Sequence, residues 1–155
     1  MLDVEGGDMA FETAYDDDFH YVWRNVVRAA ETDLQGVVFY GEYVTYQDET
    51  ATAYLRDMGY PYQDIGDEWD MHVVNVGIDY RATATMSDEL VDGLRVDAIH
   101  DSSIEFSWRC RSADAVVAEG GMTYAAVDAA GDPKRVPDAF RDAVVAYQDV
   151  PPTPA

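Results

Sequence analysis

Cysteine is almost absent from this chain, and so is lysine. The 155 residues hold one of each, Cys110 and Lys134. A lone thiol can form no intrachain disulfide and cannot supply a thiolate set for zinc. Cys110 sits in the alternating run 106–111, where a small packed strand residue is expected. Histidine is scarce as well. His20, His72 and His100 stand apart, with no second imidazole at a ligand spacing, so no metal site is expected. No apolar run approaches the roughly 18 residues of a membrane span, and mean hydropathy is -0.28. The first residues, Met1-Leu2-Asp3-Val4-Glu5, lack the basic and apolar regions of a secretory leader, so a cytoplasmic protein without a membrane partner is expected. Gly-x-Ser-x-Gly, Walker A and Gly-x-Gly-x-x-Gly patterns are all missing.

What the chain has in excess is negative charge. Asp and Glu number 31 against 10 Lys and Arg, for a formal net charge of -21. The acids are spread along the whole chain. Such a field repels phosphate backbones and excludes nucleic acid as a partner. It also makes the folded chain repel itself in dilute salt, a cost that disappears as the Debye length falls to about 3 Å at 1 M. The composition resembles that of proteins from extremely halophilic archaea, whose cytosol holds molar salt.

Hydrophobic residues make up 48% of the sequence, enough for one domain with a real core. The spacing predicts an acidic flexible N-terminal tail over 1–18, a domain over 19–148 and a Pro-rich C-terminal tail over 149–155. Residues 19–28 are aromatic and β-branched and read as a strand. A turn follows at 31–36. Residues 41–59 read as one long helix, with Val44, Ala51, Leu55 and Met58 on one stripe and Tyr43, Thr50 and Tyr54 beside it. Gly59 and Pro61 mark its end. Four strand-like runs come next, at 71–81, 94–100, 104–111 and 116–127, separated by short turn signals. A short helix opening at Pro137 closes the order. One strand, a long helix, four strands and a terminal helix fit an α+β architecture, an antiparallel sheet wrapped around one largely buried helix.

The block Asp33-Leu34-Gln35-Gly36-Val37-Val38-Phe39-Tyr40-Gly41-Glu42-Tyr43 resembles the signature of the 4-hydroxybenzoyl-CoA thioesterase family. The segments 54–59, 79–84, 87–90 and Val117-Ala118-Glu119-Gly120 are similar to later parts of that family, so the likeness spans about residues 19 to 146. The resemblance implies a hotdog fold, a homodimer or homotetramer, and a hydrolase acting on an acyl-CoA thioester, with coenzyme A as part of the substrate and no cofactor. It puts Asp33 on the catalytic carboxylate and Tyr40, with Gly41, on the backbone donor at the helix start. Gly36, Val38, Phe39, Tyr43 and Asp48 would shape the substrate site. Another branch of hotdog thioesterases carries its acid on the helix, which makes Glu49 the reserve candidate.

The chemistry asks for these residue types. Hydrolysis of a thioester needs a group that attacks or activates water, and a donor for the oxyanion that develops. Asp33 suits either role, as nucleophile or as general base. Unpaired N–H groups and the positive dipole end at a helix start suit the second need. Asp is also favoured in turns for local bonding alone, and Phe39, Tyr43 and Tyr46 are equally suited to a core. Arg81, Arg109, Arg111, Lys134 and Arg135 are the cations available for the coenzyme A phosphates. Two other functions compete. An enoyl-CoA hydratase or dehydratase of this fold pairs its Asp with a His five residues on, where this chain has Val38. A non-catalytic acyl-CoA-binding module would keep the fold without the reaction.

Overall fold

The computed structural model describes residues 15, 17–66 and 68–153. Most of the predicted N-terminal tail lies outside the described residues, as does the extreme C-terminus. The order of elements is β1 (His20–Val26), a 3₁₀ turn (Ala29–Glu31), α1 (Glu42–Asp57), a second 3₁₀ turn (Tyr62–Asp64), β2 (Asp70–Tyr80), β3 (Glu89–Ile99), β4 (Ser103–Arg111), β5 (Val116–Val127) and α2 (Asp138–Tyr147). All five strands form one antiparallel sheet in the order β1-β3-β4-β5-β2. The hotdog architecture expected from the sequence is present, with α1 lying on the sheet.

Alternation builds the sheet's inner face. Leu90, Asp92, Leu94 and Val96 of β3 and Phe106, Trp108 and Cys110 of β4 are buried at every second position. Register carries these residues across the strands in rows. One row runs Asp92, Cys110, Ala118 and Tyr80 from β3 to β2. The next runs Leu94, Trp108, Gly120 and Ile78. The core is closed at one end by α2, whose Phe140 and Val144 are fully buried. The Phe140 ring meets Trp69 and Tyr60 edge-on.

The buried face of α1 takes in most of the expected stripe and the residues beside it. It comprises Tyr43, Tyr46, Gln47, Thr50, Ala51, Ala53, Tyr54 and Leu55, while Val44 is 45% exposed. The buried polar side chains of the helix are held by hydrogen bonds, apart from Gln47 Oε1, which has no partner among the described residues. The Tyr46 hydroxyl donates to Glu31, Tyr54 to Gln148, Thr50 to the Tyr46 carbonyl and the Gln47 amide to the Gly77 carbonyl. Gly59 ends the helix in the left-handed region at φ +83, and Tyr60 N–H closes back on the Leu55 carbonyl at 2.9 Å.

The described parts of the two tails are tied to the body. Asp17 accepts from the Tyr21 hydroxyl at 2.8 Å and pairs with Arg109 at 3.3 Å. At the other end Pro152 is buried, and Thr153 N–H donates to the Asp97 carbonyl at 2.8 Å.

Candidate active site

The Asp33 block folds into a tight hairpin. Thr32 bridges Val38, Asp33 N–H donates to the Val37 carbonyl at 2.9 Å, and Gly36 N–H returns to the Asp33 carbonyl at 3.0 Å. Gly36 takes φ +79, which only glycine adopts without strain. The Asp33 carboxylate serves this turn through one oxygen. Oδ1 accepts from Gln35 N–H at 2.8 Å and, more weakly, from Val37 N–H at 3.4 Å. Its second oxygen accepts no bond among the described residues.

The hairpin is pinned from outside by the loop after β2. Val37 bridges Thr85, and Val38 N–H, on a buried residue, donates to the Ala84 carbonyl at 2.8 Å. The chain then enters α1 through Phe39, Tyr40 and Gly41. Phe39 N–H donates to the Glu31 carbonyl at 2.9 Å, and the helix ladder starts with Glu42 N–H on the Phe39 carbonyl. Between them, the amides of Tyr40 and Gly41 have no acceptor among the described residues. They are the free donors that every helix start leaves over. Gly41 leaves room for the Phe39 ring, whose Cε2 would stand 2.7 Å from a Cβ at that position. The Phe39 ring thus lies over the helix start, 4.6 Å between centroids from the Tyr40 ring. Tyr80 at the end of β2 ties its hydroxyl to the Tyr40 carbonyl at 2.9 Å, and its ring meets Tyr43 at 5.6 Å.

Asp33, Gly36, Val38, Phe39, Tyr40, Gly41 and Tyr43 therefore belong to one hairpin-and-helix unit. The other candidates lie apart from it. Glu49 is exposed on α1. Asp48 is exposed at the rim of a separate cleft of about 550 Å³, floored by Leu55, Met71 and Phe106 and edged by His72 and Tyr124. Arg81 pairs with Glu119 and Asp79. Arg109 is held by Glu119 and Asp17, with its guanidinium 4.4 Å from the Phe19 ring centroid. Arg111 pairs with Asp17 at 3.8 Å and covers Tyr15. Lys134 donates to the Glu68 carbonyl, and Arg135 pairs with Asp101 and Asp138.

Glu31 escaped the sequence reading. It lies two residues before Asp33 and is 3% exposed. Its carboxylate accepts from Arg28 Nε at 2.6 Å, Asn25 Nδ2 at 3.1 Å and the Tyr46 hydroxyl at 2.5 Å. Burial works against its charge, but the bonds from Tyr46, Arg28 and Asn25 outweigh burial and hold it below the usual carboxylate range. In sequence, a Glu inside a polar turn carries no mark of this. Its partners come from β1 and from α1, up to 15 positions away. Among the described residues no group of three or more His, Cys, Asp or Glu is placed to hold a metal ion. None of the helices there is long and apolar enough to cross a membrane.

Comparison with known proteins agrees with this architecture. Residues 27–144 match the model of the Thioesterase-like superfamily. An Aquifex aeolicus protein, provisionally named an esterase, is 25% identical over 108 residues, covering 69% of this chain and 84% of that one. A 1,4-dihydroxy-2-naphthoyl-CoA thioesterase from Synechocystis superposes with a TM-score of 0.75 at 18% identity, over 84% of this chain and 98% of that one. A DHNA-CoA thioesterase from Staphylococcus aureus superposes with a TM-score of 0.73 at 19% identity, over 81% and 86% of the respective chains. The chain belongs to the Thioesterase-like superfamily.

Proposed function

We propose that this superfamily member is an acyl-CoA thioesterase of the 4-hydroxybenzoyl-CoA thioesterase type, with Asp33 as its catalytic carboxylate. One observation carries the reading. A single hairpin-and-helix unit presents a carboxylate with one unengaged oxygen and two unpaired amides at a helix start. The thioester carbonyl oxygen would sit on the Tyr40 and Gly41 amides, which stabilise the negative charge that develops there. Asp33 would then take a proton from water as the water oxygen adds to the carbonyl carbon. The carbon–sulfur bond breaks, coenzyme A leaves as its thiol, and the acyl group leaves as the free acid. In the nucleophilic variant the carboxylate adds first and water resolves the mixed anhydride. Neither route asks for more than the thioester, water and protein groups. Arg81, one residue past Tyr80 and paired with Glu119 and Asp79, is the candidate cation for the coenzyme A phosphates that lies nearest in sequence to a contact with the helix start.

The reading includes a homodimer. β2 lies at an edge of the sheet, and Val73, Val74 and Val76 on it are 54%, 61% and 40% exposed. An apolar, unpaired strand edge of this kind is suited to a second copy of the chain. Assembly to a tetramer and residence in a cytoplasm of high salt complete the proposal.

The test is release of coenzyme A thiol from a panel of aromatic and aliphatic acyl-CoA substrates in molar KCl. Asp33→Asn should lower kcat by about 10²–10⁴ with an unchanged fold. Tyr40→Phe keeps the backbone amide and should cost at least tenfold less than that. Persistent turnover in Asp33→Asn would sink the assignment and move the search to Glu49.

A further inference from the structure

We infer that Glu31 is a positioning residue for the proposed reaction, locking the Asp33 hairpin to α1 so that the carboxylate and the free amides keep one fixed relation. The inference rests on the thioesterase reading and deepens it.

Two separate bonds make the lock. Through its backbone, Glu31 takes the N–H of Phe39 at 2.9 Å, the last bonded amide before the free ones of Tyr40 and Gly41. Through its side chain it takes the hydroxyl of Tyr46, seven residues past Phe39 and inside α1. Asp33, two residues away, is attached to this anchor by the tight turn. The anchor is fixed in turn to the end of β1 through Asn25 and to the connecting turn through Arg28. Three segments therefore converge on one carboxylate: β1, the hairpin and α1. A carboxylate that accepts three donors with almost no solvent has a single favourable place. A water-filled pocket would leave it several. Nothing in the geometry puts Glu31 at the reacting atoms, since both of its oxygens are already engaged and its side chain is closed off. What it can set is distance and angle, and a misplacement of about 1 Å can cost about 10² in rate.

Glu31→Gln keeps the size of the side chain and removes its charge and part of its accepting capacity. Tyr46→Phe removes the helix end of the lock alone. Each should lower kcat about tenfold or more while KM changes less than about twofold, because substrate contacts stay in place and the transition-state geometry does not. The double variant should lose little beyond either single one, since both cut the same tether. In an Asp33→Asn background, Glu31→Gln should have no further effect on residual turnover. The comparator for simple destabilisation is Val144→Ala, which opens a cavity under α2. A Val144→Ala protein with the same loss of Tm in molar KCl should keep parental kcat.

The outcomes separate two failures. If Asp33→Asn is inactive and Glu31→Gln keeps parental kcat, positioning by Glu31 is wrong and the thioesterase reading stands. The inference also falls if Val144→Ala, at matched Tm, loses as much kcat. If Asp33→Asn turns over normally, the catalytic role of Asp33, and with it the inference, is wrong; if the parent releases no coenzyme A thiol from any substrate of the panel, the thioesterase reading itself fails.

Discussion

Glu31 and Asp92 are about equally hidden, at 3% and 0% exposure, and both lie against α1. Around Glu31 three side-chain donors converge, one of them a guanidinium. Around Asp92 the donors are all neutral: the Trp108 indole N–H at 2.8 Å, with the Cys110 thiol and the Thr50 hydroxyl beside it, and Oδ1 has no partner among the described residues. Burial raises Asp92 to about 7, and Trp108, Cys110 and Thr50 beside it offset only part of that rise. Glu31 stays below its ordinary range. The difference teaches that burial alone does not set the state of an acid in this fold. The charge of the donors acts with it: a guanidinium stands at the hairpin that carries Asp33, and only neutral donors surround the more deeply buried Asp92.

The largest way to break this contrast is through pH. Unfolded, Asp92 ionises near 3.8; folded, near 7. Its contribution to stability is full below pH 4 and is lost as pH rises to 7, by on the order of 4 kcal/mol. Asp92→Asn escapes this loss, so its stability relative to the parent should climb between pH 4 and 8, read by melting in molar KCl. A flat difference would show that Asp92 is ionised in the fold after all. Glu31 must respond with the opposite sign. Its stabilisation is present above its ordinary 4.5 and fades as pH falls below that, so Glu31→Gln should flatten the acid limb of the melting curve.

A smaller effect sharpens the contrast from the donor side. Tyr46→Phe takes one donor from a charge that stays buried and should cost about 1–3 kcal/mol at pH 8. The same substitution combined with Glu31→Gln should cost much less than the sum, because the unsatisfied charge is then gone. Additive losses in urea unfolding would mean that the Tyr46 ring, and not its hydroxyl, does the holding.

The sequence disclosed the frame of the molecule better than this pair of acids. Strand limits at 71–81, 104–111 and 116–127 and the helix stop at Gly59 were readable because alternation and turn residues are local signals. The hairpin that holds Asp33 was readable because its motif is contiguous. The orientation of α1 was readable in part. The stripe placed Ala51 and Leu55 inside, with Tyr43, Thr50 and Tyr54 beside them, but it also drew Val44 inward, whereas Tyr46 and Gln47 go in with their polar ends on Glu31 and the Gly77 carbonyl. Glu31 and Asp92 looked like two among 31 acids. Only contacts between distant segments separate them from the solvated ones. Arg109 and Arg111 share a strand face as their spacing implies, and their pairing with Asp17 and Glu119, from other segments, could not be read from it.

Salt gives the smallest expected difference between the two acids and tests the contrast most strictly. The chain as a whole, at -21, should lose Tm steeply between 1 M and 0.1 M KCl, because surface repulsion is then felt over a Debye length of about 10 Å and no longer 3 Å. The Glu31 and Asp92 carboxylates are themselves sealed from solvent, although Arg28, the cation on Glu31, is exposed. The first is neutralised at close range by Arg28, and the second carries little charge below pH 7. The stability differences of Glu31→Gln and Asp92→Asn from the parent at pH 6 should therefore be the same at both salt concentrations, even as every Tm in the set falls. If either difference shrinks with added KCl, that acid is reached by solvent ions, and the picture of a dry carboxylate governed only by its donors fails at that position.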